Sequence, residues 1–80
     1  MAQPPRSKNS ISAVLNRMLE TPVTVGIKGS RKFQGKLRGY DTHMNLVLDD
    51  AVELMDGKVA TRYGAMIVRG DNVVFVAPLG

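Results

Sequence analysis

The chain has 80 residues, a formal net charge of +4 and no cysteine. An isolated domain of this size buries only about 60–65% of the surface that its unfolded chain exposes, so its core is marginal. The lack of cysteine excludes disulfides and thiolate metal sites, and a single histidine argues against a structural zinc or other cofactor. We therefore expect association with further copies of the chain to supply stability.

The sequence contains no obvious membrane or export segment. It has no run of about 18 apolar residues, which a bilayer-spanning helix requires. Its first ten residues, MAQPPRSKNS, lack the apolar core of a secretory signal. We expect a soluble, cytoplasmic protein without a membrane partner.

The positive charge is concentrated in the first half of the chain. Residues 1–38 carry eight basic and one acidic side chain, a net +7, whereas residues 39–80 carry three basic and six acidic, a net −3. Such asymmetry is typical of proteins that bind a polyanion, most commonly nucleic acid. A solvated surface without any partner explains the charge equally well.

The first predicted element is a short helix. Residues 1–9 are polar and include a Pro-Pro pair, which predicts a flexible arm before a single domain of residues 10–80. Ser10 or Asn9 is placed to cap the helix, and Thr21 and Pro22 end it. The apolar positions follow the one-sided helical spacing: Ile11, Val14, Leu15, Met18 and Leu19.

After the helix the apolar period changes to two, which predicts strands. The first runs from Val23 to Ile27, and residues 28–31 read as a turn. On the second strand, residues 33–40, Gly35 and Gly39 share one face. Glycines at alternate positions leave room for the sheet to bend or for another backbone to approach closely.

The third strand is predicted to be long and to be followed by a hairpin. Asp50 interrupts its apolar face, and Asp56-Gly57 is a strong signal for a two-residue turn before a return strand, Val59–Val68. The apolar face is formed by Met44, Leu46, Leu48, Val52 and Leu54.

The last strand, Val73–Val76, follows a turn at Arg69–Asn72 and is entirely apolar, so we expect both of its faces to be covered. The elements together predict a mainly β fold: one helix and about five antiparallel strands in a strongly bent sheet that curls into a small barrel. The final strand leaves an edge that is ready to pair with another chain, and head-to-tail pairing of this kind closes into rings.

Two segments resemble the paired motifs of the Sm and Sm-like family. FQGKLRGYDTHMNLVLDDA (residues 33–51) resembles the first motif, and MIVRGDNVVFVAP (residues 66–78) resembles the second. With the helix, the resemblance covers about residues 11–78 and is closest to the minimal, tail-less archaeal members. Two linked motifs in order are a far more specific signal than a lone short pattern.

The resemblance implies a helix on a five-stranded open barrel of the SH3 type. It also implies a homo-oligomeric ring, usually of seven subunits, in which the fourth strand of one subunit pairs with the fifth of the next. Such rings bind uridine-rich single-stranded RNA around the central pore and act in RNA processing as scaffolds or chaperones, together with other RNA-processing proteins. Six-membered bacterial rings carry a different second motif, although a hexamer stays open here.

The resemblance also implies a uridine pocket formed by Asp41, His43, Asn45, Arg69, Gly70 and Asp71. His43 and Arg69 match the side chains that stack on the two faces of a base, where stacking contributes roughly 1–3 kcal/mol per base. Asn45 matches the amide that reads uracil, since an amide offers both a donor and an acceptor. Asp41 matches the carboxylate that orients this amide.

Other interpretations of the same residues stay open. Arg17 and Tyr40 are candidates for a second RNA contact near the helix, although packing explains Tyr40 equally simply. A structural hub that assembles other proteins, with incidental RNA binding, is the main alternative function. A nuclease using His43 with Asp41 is disfavoured, because no metal cluster, second base or nucleophile accompanies them, and we expect no enzyme activity.

Overall fold

A computed structural model of the chain describes residues 10–79, and the predicted flexible arm at residues 1–9 lies outside the described residues. The elements are helix α1 (Ile11–Met18) and strands β1 (Pro22–Ile27), β2 (Arg31–Tyr40), β3 (Leu46–Met55), β4 (Lys58–Arg62), β5 (Met66–Val68) and β6 (Val73–Pro78). A 3-10 turn, Gly70–Asn72, joins β5 to β6.

Helix α1 is short and covers the core with one face. Of the two candidate caps, Ser10 is the N-cap, because its Oγ accepts a hydrogen bond from the N–H of Ala13 at 3.3 Å. Leu15 and Met18 on the inner face are buried. Eight residues form too short a helix to be stable alone, so this packing holds it. Within residues 10–79, no helix has the length and apolar content that crossing a bilayer requires.

The strands form one antiparallel sheet in the order β4-β3-β2-β1-β6, and β5 also pairs with β3. The predicted mainly β fold, with one N-terminal helix and a bent antiparallel sheet, is confirmed. Strands β4 and β6 lie at the two ends of this order, so the described part of the sheet does not close and each of these strands keeps one edge without a partner strand.

Strand β3 bends sharply at Asp50, whose φ is 52°. Leu48, before the bend, and Ala51, after it, are both fully buried. A strand that alternated regularly from Leu48 would instead bury Val52. The prediction that Val52 and Leu54 share the core face is therefore wrong. One residue in the left-handed region shifts the alternation of the strand by one position.

The predicted return strand, residues 59–68, is divided into β4 and β5 because it follows this bend. Strand β4 pairs with the second half of β3 and β5 with the first half. Between them, the N–H of Tyr63 donates to the carbonyl of Ala51 at 2.7 Å, and the N–H of Ala51 donates to the carbonyl of Gly64 at 3.1 Å. The two short strands therefore act as one interrupted strand.

The two glycines of β2 have different environments. A Cβ added to Gly35 would lie 2.9 Å from the carbonyl oxygen of Asp49, so the backbone of β3 approaches closely there, as predicted. A Cβ added to Gly39 would meet no atom within 4 Å. The glycine at position 39 is therefore not explained by close approach of another backbone. The Asp56-Gly57 hairpin is confirmed, with φ of 52° and 78°, the signs of a type I′ turn.

The core lies between α1 and one face of the sheet. The expectation that both faces of the last strand are covered is not met within one chain, because Val74 and Phe75 remain 64% and 41% exposed. The buried apolar residues are Leu15, Met18, Val23, Val25, Phe33, Leu37, Leu46, Leu48, Ala51 and Val68.

Candidate nucleic-acid interface

Two loops meet at one end of the sheet. Leu46, at the start of β3, is the register partner of Val68, at the end of β5. Antiparallel pairing therefore places the loop before β3, residues 41–45, beside the turn after β5, residues 69–72. An open depression of about 540 Å³ lies between them, lined by His43, Met44, Asn45, Arg69, Gly70 and Asp71.

Five of the six predicted pocket residues line this depression, and the sixth, Asp41, holds the loop from within. Its Oδ1 accepts hydrogen bonds from the backbone N–H groups of His43 at 2.9 Å and Asn45 at 3.0 Å. Its Oδ2 accepts from the side-chain Nδ2 of Asn45 at 2.9 Å. The side-chain bond from Asn45, followed by the two backbone bonds, lowers the pKa of Asp41 despite an opposing effect of burial. The carboxylate therefore stays ionised at neutral pH.

The amide of Asn45 is held in one orientation. Its Nδ2 donates to Asp41, and its Oδ1 accepts from the backbone N–H of Gly70 at 2.7 Å. A flipped amide would place its oxygen against a carboxylate and its NH₂ against an N–H donor, so this network selects one of the two orientations. One hydrogen on Nδ2 and one lone pair on Oδ1 remain for a further partner.

Gly70 permits the two loops to approach each other. A Cβ at this position would overlap the carbonyl oxygen of His43. Any other residue would therefore separate the turn from the loop and lengthen the bond from the N–H of Gly70 to Asn45. In the sequence, the glycine of the Arg-Gly-Asp stretch is the feature that indicates this close approach of the two loops.

Arg69 and Asp71 lie at the mouth of the depression. Their side chains are 75% and 64% exposed and form an ion pair of 3.4 Å. An exposed pair of this kind contributes little free energy. The guanidinium is thus able to leave Asp71 and cover a planar group that lies on the other side against His43.

Met44 was not predicted as a pocket residue, because the sequence pattern placed it on the core face of a strand. It lies in the loop rather than in a strand, with a φ of 65°, and from there it packs against the core and also lines the depression. The left-handed conformation at Met44 also breaks the alternation of Asp41, His43 and Asn45. Contacts through Asp41, rather than a strand phase, bring these three residues together.

Of the two candidates for a second RNA contact, Arg17 and Tyr40, the structure gives Tyr40 a role in packing. The hydroxyl of Tyr40 lies 3.3 Å from the carbonyl of Ser12 and 3.2 Å from Oδ1 of Asn16, and its ring packs against the core. Tyr40 therefore fastens α1 to β2, as the packing interpretation proposed. Arg17 follows Asn16 in the last turn of the helix and does not line the depression.

Asp41 and His43, the two residues of the disfavoured nuclease hypothesis, are joined through the backbone. Asp41 accepts a hydrogen bond from the backbone N–H of His43, and the imidazole is not held by that carboxylate. Between residues 10 and 79, no group of three potential metal ligands is brought together. The geometry suits binding of a planar ligand with paired donor and acceptor groups.

Comparison with known proteins places the chain in a family. Residues 13–78 match the family model for the LSM domain. A protein of Methanosarcina barkeri that is named as snRNP Sm-like is 57% identical over 65 residues, which cover 81% of this chain and 90% of that protein.

Solved structures give the same result. The Sm protein of Pyrococcus abyssi in complex with a uridine heptamer is 42% identical, with a TM-score of 0.86, and the match covers 89% of this chain and 100% of that one. The P. aerophilum SmAP1 heptamer is 37% identical, with a TM-score of 0.84, and the match covers 94% and 97%. The chain belongs to the LSM-domain family of Sm-like proteins.

Proposed function

We propose that the chain assembles into a homo-oligomeric ring, a heptamer, and binds uridine-rich single-stranded RNA with one pocket per subunit. The observation that carries the proposal is the fixed amide of Asn45. Held by Asp41 and Gly70, it presents one free donor beside one free acceptor.

Uracil is complementary to this pair of groups. Its N3–H would donate to Oδ1 of Asn45, and a neighbouring carbonyl would accept from Nδ2. Cytosine in the same position would present an unprotonated N3 to Oδ1, which places two acceptors together. Because Asp41 and Gly70 prevent the amide from flipping, Asn45 cannot adapt to cytosine. A buried polar group left unpaired is costly, and this cost is the source of discrimination.

Stacking would supply affinity without base preference. His43 and Arg69 line opposite loops of the depression, so a base between them would be covered on both faces. Each stacked base contributes roughly 1–3 kcal/mol. The positive guanidinium would also lie near the RNA phosphates.

The ring is supported by the free edges of β4 and β6. Apolar side chains stay exposed on and beside these strands, among them Val59 at 47%, Ile67 at 71% and Val74 at 64%. Pairing of β6 of one subunit with β4 of the next would cover such residues and extend the sheet from subunit to subunit. Heptamers among the solved relatives support seven subunits, and a hexamer is the alternative ring size.

Several weak pockets on one rigid ring would hold a long strand much more tightly than any single pocket. We place this binding, without chemical change to the RNA, in RNA processing in the cytoplasm. The ring would serve as a scaffold or chaperone, without a cofactor and with other RNA-processing proteins as further partners.

The test is a fluorescence-anisotropy titration of labelled oligo(U), oligo(C) and oligo(A) at one fixed salt concentration. We expect the wild-type protein to prefer oligo(U), and the Asn45→Ala variant to lose at least about tenfold in oligo(U) affinity. Equal binding of all three oligomers by the wild type would contradict the proposed pocket. An unchanged preference for oligo(U) in the Asn45→Ala variant would show that Asn45 does not recognise uracil.

A further inference from the structure

An apolar groove lies between helix α1 and strand β6. It has a volume of about 310 Å³, and every described residue that lines it is apolar or a glycine. In the single chain Ile11 and Val74 are 69% and 64% exposed, so water reaches much of this apolar surface. We call it the α1–β6 groove and define it by six of its residues: Ile11, Val14, Met44, Gly70, Val74 and Phe75.

The groove is continuous with the free edge of the sheet. Val74 lines the groove and belongs to β6, the strand at one end of the sheet order. Pairing of β6 with β4 of the next subunit brings a second set of exposed apolar side chains to this side of the molecule, among them Val59 and Ile67. An exposed apolar surface beside an edge strand is suited to burial by another chain. The occupant that fits the groove is therefore the next copy of this chain.

The groove and the uridine pocket share a wall. Met44 and Gly70 line both the groove and the depression that contains His43 and Asn45. The wall is thin, because a Cβ added to Gly70 would lie 2.8 Å from the carbonyl carbon of His43 and 2.9 Å from that of Met44. Since Met44 stands between His43 and Asn45 in the chain, a movement of Met44 is passed to the residues on both sides.

Met44 is the apolar anchor of the loop before β3. Its φ of 65° lies in the left-handed region, which is unfavourable for a residue with a long side chain. Its N–H donates to the carbonyl of Asp41 at 3.1 Å, and its side chain packs against the core. An unbranched thioether chain has several rotatable bonds and adapts to the space around it. Filling the groove would restrict the positions that this side chain can take.

We propose that Met44 is a positioning residue that couples the uridine pocket to ring assembly. The next subunit, seated in the α1–β6 groove, holds Met44 and thereby keeps His43 and Asn45 in the geometry that binds uracil. The inference rests on the proposed function, since it concerns the same pocket. Coupling of this kind is reciprocal, so bound uridine strengthens the contact between subunits by the factor by which assembly strengthens uridine binding. It acts on a single nucleotide and is therefore distinct from the gain of several pockets on one RNA strand.

The test measures binding of uridine monophosphate, which occupies one pocket at a time, by titration calorimetry. Wild-type rings are compared with dissociated subunits of a Val59→Asp/Ile67→Asp variant. Both substitutions lie outside the groove and the depression, so the groove stays intact but empty. We expect the rings to bind uridine monophosphate at least about fivefold more tightly than the dissociated subunits. Equal affinities would overturn the coupling.

The role of Met44 is tested by Met44→Ala in the wild type and in the dissociated variant. We expect the ratio of the two affinities to fall close to one, and Met44→Leu, of similar volume, to retain most of it. The matched control is Met66→Ala, since Met66 is also half-buried against the core but lines neither the groove nor the depression. A role in stability alone would weaken binding by rings and dissociated subunits alike. An undiminished ratio in Met44→Ala would overturn the assignment of Met44.

If Met44→Ala does not fold, the methyl resonance of Met44 decides, identified by its loss in Met44→Leu. It should differ between rings and dissociated subunits and should shift when uridine monophosphate binds. A resonance that ignores either change would overturn the proposal. So would rings of wild-type mass in the Val59→Asp/Ile67→Asp variant, because a different surface would then fill the groove.

Failure of the uridine pocket itself has a different signature. Equal binding of uridine monophosphate and cytidine monophosphate by wild-type rings would contradict the proposed pocket, and the coupling with it. A preference for uridine monophosphate that is the same in rings and in dissociated subunits, with equal affinities, would leave the pocket intact and overturn the coupling alone.

Discussion

The backbone N–H of Gly70 donates a 2.7 Å hydrogen bond to the side-chain Oδ1 of Asn45, 25 positions earlier in the chain. This bond joins the loop before β3 to the turn after β5. It also completes the fixation of the Asn45 amide that Asp41 begins from the other side. The two segments that carry the family motifs thus form one polar network.

Removing the charge of Asp41 should relax the choice between uracil and cytosine. In an Asp41→Ala variant the Asn45 amide loses one of its two orienting partners and keeps only the N–H of Gly70, so its preference for one orientation weakens and cytosine is disfavoured less. We expect oligo(U) affinity to fall about tenfold and the ratio of oligo(U) to oligo(C) affinity to fall with it. The control is Asp50→Asn, an exposed left-handed position that asparagine tolerates. An undiminished ratio in Asp41→Ala would show that Asp41 does not orient the reader.

Substitution of Gly70 should separate the loops. In a Gly70→Ala variant the new Cβ would overlap the carbonyl of His43, so the turn must move and the bond to Asn45 lengthens. We expect a loss of about 1–3 kcal/mol in the free energy of unfolding and at least about tenfold in oligo(U) affinity. Gly39→Ala is the matched control, since a Cβ there meets no atom within 4 Å. Chemical denaturation and anisotropy measure the two quantities, and normal oligo(U) affinity in Gly70→Ala would contradict the close-approach explanation.

Acid should destabilise the fold partly through Glu53. This buried carboxylate accepts two hydrogen bonds from Arg31 and one from the hydroxyl of Tyr63, and the bonds from Arg31 are the first cause of its lowered pKa. A carboxyl whose pKa is lower in the folded state stabilises the fold above its unfolded value, near 4.5, and this contribution is lost as pH falls through the folded pKa.

The measurement is the melting temperature between neutral pH and about pH 3. In a Glu53→Gln variant the decrease on acidification should be smaller than in the wild type, because one of the linked protonations is gone. An Asp56→Asn variant, at the exposed hairpin turn, should keep the full decrease. Identical acid profiles for wild type and Glu53→Gln would show that this ion pair does not contribute to pH-dependent stability.

A charge on the free edge of β6 should prevent ring assembly without unfolding the subunit. Val74 is 64% exposed in the single chain, so Val74→Asp is compatible with the fold but would leave a carboxylate buried and unpaired between subunits. We expect light scattering to show monomers at micromolar concentrations and circular dichroism to remain native. Val74→Thr, which keeps the branched shape, should weaken assembly less. Rings of wild-type mass in Val74→Asp would contradict pairing through β6.

The sequence predicts the fold and the pocket unequally well. The helix, the strand order along the chain and the Asp56-Gly57 turn follow from local periodicity and turn chemistry, which depend on neighbouring residues. The bend at Asp50 could not be predicted in this way, because an aspartate within a strand pattern does not indicate that its backbone adopts a left-handed φ. Because of that conformation at Asp50, Ala51 is buried in the core in place of the predicted Val52.

The pocket residues were identified through the family motifs, since the contacts that join Asp41, Asn45 and Gly70 cross two separate loops. Met44 packs against the core as predicted, but apolar alternation does not show that it does so from a loop and also lines the depression.

Binding of an oligo(U) in which every N3 carries a methyl group would test the reading of uracil by Asn45 most directly, with the protein unchanged. The methyl group removes the N3–H and leaves both carbonyls and the stacking faces. We predict that the methylated oligomer binds at least about tenfold more weakly than oligo(U), at a level close to oligo(C). Equal affinity for methylated and unmethylated oligo(U) would contradict recognition through the N3–H.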